Sequence, residues 1–149
     1  MSLTQEEVSP GLVVQLDTAM LRALGGCQTN AVLGPDGDRS VVGTQDFLVV
    51  GLDAAASRCT AVPLFAKTAV GNQPLENGKK SGRADEWIGT DTFFSCWQHW
   101  RIPVASVVAA SADDPTTSGN RRRYAAADRS ALDDIKNWEG RNRAAYRDA

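Results

Sequence analysis

Two apolar runs near the middle of the chain constrain the fold most. Gln45-Asp-Phe-Leu-Val-Val-Gly-Leu52 and Cys59-Thr-Ala-Val-Pro-Leu-Phe-Ala66 are separated by a short polar link, Asp53 to Ser57. Apolar runs of this length, rich in β-branched residues and bounded by polar turns, read as buried strands. The short link predicts an antiparallel pair. Proline cannot donate to a ladder, so Pro63 points to an edge position or a bulge. The core is expected to include Phe47, Val49, Val62, Leu64 and Ile135.

The flanking sequence supplies further elements. Thr4 and Glu7 make a capping box, and Pro10-Gly11 ends the turn it starts. Gly11 to Leu16 reads as a strand. Asp17 or Thr18 caps a short helix through Leu24, and Gly25-Gly26 stops it. Residues 34–40 form a polar turn, and 67–86 a long loop. Residues 87–104 are aromatic and extended, with Trp87, Phe93, Phe94, Trp97, Trp100 and Ile102. Residues 104–111, with their alanines, fit either a strand or a short helix, and Val107 and Val108 tip the balance toward strand. Residues 112–120 read as a loop. Ser130 and Asp133 form a capping box for a last helix with Leu132, Ile135 and Trp138 on one face. Residues 141–149 are expected to fray.

These elements describe one domain over residues 1–149. Its core spans 9–111, interrupted by the long loop, and 112–149 add a loop and the C-terminal helix. The expected class is mainly β with some helix (α+β), either a small SH3-like barrel or a strongly curved antiparallel sheet.

Composition excludes more than it assigns. A net charge of −2 gives no general drive toward nucleic acid. The charge is uneven, though: residues 119–149 carry +3 and residues 1–118 carry −5. Three cysteines without a paired spacing, and an acidic N-terminus lacking an apolar stretch, predict free thiols and a cytoplasmic setting. No apolar run is long enough to span a membrane as a helix. One histidine among scattered cysteines predicts no metal site and no cofactor.

The Pro10-Gly11 turn, the strand ending in Phe-Leu-Val-Val-Gly-Leu (47–52) and the strand carrying Val-Pro-Leu-Phe (62–65) together resemble the PemK/MazF growth-inhibitor family. The resemblance is carried by residues 9–66 and, beyond them, by element order. It implies an SH3-like barrel, a homodimer, metal-independent cleavage of single-stranded RNA and a silencing antitoxin partner. Two positions depart from the family pattern. Gln45-Asp46 stands where members carry Arg-Pro, and Phe65 where active members carry a hydroxyl. Both departures remove groups that meet the charge of the reacting phosphate.

The candidate site residues follow from the chemistry that remains. His99 is the only histidine and the natural proton carrier. It stands between Trp97 and Trp100, which would stack on bases, and beside Arg101, which would meet phosphate charge. The plainer reading of His99 is a packed residue whose ring meets a backbone partner. Arg39, Lys67, Thr68, Lys79, Lys80 and Arg83 would form a phosphate-contacting rim, or simply a solvated loop. Arg121, Arg122 and Arg123 precede Tyr124 and pair basic with aromatic character. Two functions are therefore expected to compete. One is a toxin-type endoribonuclease or a degenerate relative of one. The other is a non-catalytic barrel that binds a protein partner through its aromatic segment and basic tail.

Overall fold

The computed structural model describes residues 3–31, 33–35, 37–67, 72–82, 85–95, 97–111, 122–125, 128–137 and 145–149. The first strand, β1 (Leu12–Asp17), runs into helix α1 (Thr18–Leu24). Asp17 caps that helix by accepting from the amides of Ala19 and Met20. Gly25, at φ 75°, ends it in a conformation that favours glycine. Two short strands follow, β2 (Gln28–Thr29) and β3 (Leu33–Gly34), and β3 pairs with β4 (Gly37–Asp38).

The predicted central pair is present as β5 (Thr44–Asp53) and β6 (Arg58–Phe65), with Phe47 opposite Pro63 and Leu48 opposite Val62. The predicted long loop holds short elements instead: β7 (Asn72–Pro74), a 3-10 turn at Asn77–Lys79 and β8 (Lys80–Ser81). Beyond it lie α2 (Asp85–Gly89), β9 (Phe93–Ser95) and β10 (Trp100–Pro103). Residues 104–110 form a helix, α3 (Val104–Ala110), where the sequence points to a strand. Val104, Val107 and Ala110 are buried at helical spacing, so packing decides between the two. The chain closes with β11 (Arg122–Tyr124), α4 (Arg129–Asn137) and β12 (Arg147–Asp148).

Ten strands form one antiparallel sheet, with β12-β2-β10-β6-β5-β1-β11-β8 in sequence across it and β9 and β7 added beside β6. Among the described residues β12 and β8 do not pair with each other, so the sheet stays open and is not a closed barrel. Side chains alternate between its faces. Val14, Leu16, Phe47, Val49, Cys59 and Ala61 join one core with α1 and α3. Val13, Leu48, Val50, Val62 and Leu64 join a second core with α4, Trp87 and Tyr124. Both faces are covered, which is why the central strands read as unbroken apolar runs. Phe47, Val49, Val62, Leu64 and Ile135 are all buried, as expected.

Pro63 lies in neither an edge strand nor a bulge. It falls where the neighbour of β6 changes, since β10 pairs with residues 58–61 and β9 with residues 64–65. A missing donor costs little at such a gap. The sheet's bulge is on β5, between Val49 and Gly51. The cap of α4 is Asp128, not Ser130: its Oδ1 accepts from the Ser130 hydroxyl at 2.7 Å and the Ala131 amide at 3.2 Å. Trp138 lies outside the described residues. Of the segment expected to fray, residues 147–148 add to the sheet edge beside β2, and the Ala149 amide donates to the Cys27 carbonyl. No helix among the described residues is long and apolar enough to cross a membrane.

Cys27 and Cys59 are buried and free. Burial pushes both thiols up to about 12. The thiolate is the reactive form, so labelling in the native state should be slower than for a free thiol by on the order of 10³-fold. Timed alkylation at pH 8 with peptide mapping checks this. Fast native modification of either residue would contradict its burial. Cys96 lies outside the described residues.

Candidate functional site

The segment 97–100 distributes its side chains to four different places. His99 is 0% exposed. Its Nε2 meets the Ile135 carbonyl of α4 at 3.3 Å. Its amide donates to Asn30 Oδ1 at 2.6 Å, and its carbonyl accepts from the Thr29 hydroxyl at 2.9 Å. The plainer reading of His99 matches this setting: the imidazole is packed beneath a helix and does not face solvent.

Trp100 is also fully buried. Its ring meets Phe47 edge-on, with centroids 5.5 Å apart, and the Arg22 guanidinium lies 5.4 Å from its centroid. Gln98 is buried. Its Oε1 accepts from Trp100 Nε1 and from the Val41 amide. A tryptophan held this way has no face for a base. Only Trp97 reaches the surface, at 43% exposure.

The expected cationic rim is dispersed. Lys80 is buried, and its Nζ donates to the carbonyls of Trp87 and Thr90 and to the Thr92 hydroxyl, at 3.0, 2.6 and 2.9 Å. It also lies 4.4 Å from the Trp87 ring centroid. Burial lowers its pKa. Lys79 is bridged to Glu76 and Asp128 at 3.0 and 3.2 Å. The Ser130 hydroxyl, the Lys79 ammonium and the Ala131 amide hold the Asp128 carboxyl down at about 2. Arg39 and Lys67 are exposed. Thr68, Arg83 and Arg121 lie outside the described residues. Arg101 stacks on Tyr146, 3.6 Å from the ring centroid.

The two positions that depart from the growth-inhibitor pattern have structural partners. Gln45 Nε2 donates to the Leu64 carbonyl. Asp46 takes both arms of Arg122, at 3.0 and 3.2 Å. Arg123 donates to the Glu7 carbonyl. Arg122 thus ties β11 to β5, and Arg123 ties it to Glu7 near the N-terminus. Among the described residues no three His, Cys, Asp or Glu side chains gather as metal ligands would.

Several large apolar side chains remain exposed. The segment 39–41 is tied to Gln98 by the Val41 amide and to α1 by Arg22, which donates to the Ser40 hydroxyl and the Val41 carbonyl. These bonds lash together three segments that expose Trp97, Val42 (77% exposed), Met20 and Leu24. Met20 and Leu24 lie four apart on α1, so they share a face. Arg39, at the start of the tied segment, is exposed. The sequence points to Trp97 and Arg39 but not to Val42, Met20 or Leu24. The signal available was the pair of large apolar residues on α1 beyond those its core face needs. Comparison with known proteins gave no match to any family model, curated protein or solved structure.

Proposed function

We propose that this protein is a non-catalytic binding module that recognises a protein partner through the surface around Trp97. One observation carries the reading: of the aromatic segment expected to handle RNA, only Trp97 is presented to solvent, while His99 and Trp100 are built into the interior. A general acid or base must come within hydrogen-bond reach of the proton it moves. An imidazole sealed beneath α4 does not. A half-exposed tryptophan is instead the kind of residue most enriched in protein-binding hot spots. The free, buried cysteines support a cytosolic setting.

The test has two arms. With EDTA present, the wild-type chain should leave a varied set of single-stranded RNAs intact. Partner capture should then be compared between wild type and Trp97→Ser. Loss of a central tryptophan anchor weakens binding by roughly 2 kcal/mol or more, about 30-fold. The melting temperature should be unchanged, because Trp97 is outside both cores. Metal-independent RNA cleavage by wild type would overturn the reading in favour of a growth-inhibitor nuclease with its antitoxin and dimeric assembly. A purified partner bound equally by wild type and Trp97→Ser would place recognition elsewhere.

A further inference from the structure

The strand β12 sits on the sheet as a bound peptide would. It pairs antiparallel with β2, Arg147 opposite Thr29 and Asp148 opposite Gln28. The Ala149 amide extends the ladder by donating to the Cys27 carbonyl at 3.0 Å. Alternate side chains of a strand go to opposite sides of its sheet. On one side the Tyr146 ring lies on the Arg101 guanidinium of β10, 3.6 Å from centroid to carbon. On the other, Ala149 packs against the first core. The Arg147 guanidinium donates to the Ala31 carbonyl, just past the end of β2. Main-chain bonds thus supply attachment, while an aromatic ring, an arginine and a small residue supply the match. That division is the one used in strand addition, where an extended peptide joins a sheet edge.

The edge is held independently of the segment that covers it. β10 fixes β2 from its other side, with Trp100 opposite Thr29 and Arg101 opposite Gln28. The Thr29 hydroxyl and the Asn30 amide both donate to the His99 carbonyl, and the His99 amide donates to Asn30 Oδ1. These bonds persist when β12 lifts away. Segments attached by edge bonds rather than by buried apolar area are the first to open. The edge groups thus released favour any strand that pairs them again.

We propose that the β2 edge, Cys27 to Ala31, is a docking site for an extended segment of a partner protein. The segment it fits carries an aromatic residue, then arginine, then a small residue two positions on, and residues 145–149 hold the edge in cis until such a segment displaces them. The site uses residues other than those of the Trp97 surface, and its test is independent of that reading.

The probe is a peptide with the sequence of residues 143–149, Arg-Ala-Ala-Tyr-Arg-Asp-Ala. It is titrated into the isotope-labelled full chain, and the amide resonances of residues 27–31 are followed by NMR. The tethered segment competes at an effective concentration on the order of millimolar, so wild type should bind with an apparent Kd of about 1 mM. Arg147→Ala in the chain weakens the cis segment and should tighten peptide binding up to about 10-fold, the scale of one hydrogen bond to a charged group. The same substitution in the peptide should weaken binding by a similar factor. Tyr146→Ala in the chain, which loses the stack on Arg101, should act in the same direction as Arg147→Ala. Thermal melts confirm that each variant is folded. A purely structural β12 would give no saturable shifts at residues 27–31 in any of the chains, and that result would overturn the proposal. So would equal binding by wild type and both variants, or equal binding of a scrambled peptide. Dimerisation of wild type in the absence of peptide, abolished by Arg147→Ala, would also overturn it, by making the occupant the same segment of a second copy.

Discussion

Trp100→Ala is expected to lower the unfolding free energy by about 3–5 kcal/mol, the usual range for removing a fully buried aromatic side chain. The loss has three sources. The indole fills the first core against Phe47. It gives the Arg22 guanidinium a ring to lie on. Its Nε1 donates to Gln98, which in turn holds segment 39–41. Trp100→Phe keeps the ring contact and loses one hydrogen bond, while Gln98 Oε1 still accepts from the Val41 amide, so it should cost only about 0.5–1.5 kcal/mol. Urea denaturation of the three proteins checks both figures. An alanine variant as stable as wild type would mean that the indole is not part of the core.

Lys80→Met is expected to destabilise by about 3 kcal/mol. Methionine retains the apolar stem but withdraws the donor from two carbonyls and a hydroxyl; the buried Trp87 carbonyl left unsatisfied costs about 1–3 kcal/mol, and the two part-buried bonds add about 0.5–1.5 kcal/mol each. These acceptors lie at residues 87–92, so the amine pins the second half of α2 and the approach to β9 against β8. The effect has a pH signature. Burial lowers the lysine pKa in the folded state below the ordinary 10.5. Between the lowered value and 10.5 the unfolded chain holds more protons than the folded one, so wild-type stability gains with rising pH in that window. Methionine cannot titrate. The stability difference between wild type and Lys80→Met should therefore widen as pH climbs toward 10.5. A difference that stays flat with pH would show that the amine is not desolvated.

The legible parts of this fold are those where local signals and packing agree. The β5–β6 pair, the capped α1 and the apolar stripe of α4 carry their own periodicity, and each is present. Residues 104–110 were not legible. Val107 and Val108 favour strand locally, and only contact with α1 and β1 selects the helical face formed by Val104, Val107 and Ala110. The same holds for β12, whose two residues become a strand because β2 offers an unpaired edge.

The site was less legible than the fold. Charge alone does not tell a solvated lysine from one that satisfies buried carbonyls, and Lys80 proved to be the second kind. His99, Trp97 and Trp100 look alike in sequence. The bonds of Gln98 to Val41 and of Asn30 to His99 separate them, and these join residues 57 and 69 positions apart.

The open sheet has a further consequence for how the molecule behaves in a crowded solution. An unpaired strand edge is a template on which other chains can polymerise. Here both ends of the main strand path, β12 and β8, are only two residues long. A foreign strand laid along either would find few ladder bonds before the backbone turns away. It would also meet Arg147 and Asp148 at one end. The long, sticky strands β5 and β6 are sequestered in the middle, where no neighbour can reach their hydrogen-bonding groups. The molecule can thus leave its sheet unclosed and still resist edge-to-edge aggregation at high concentration.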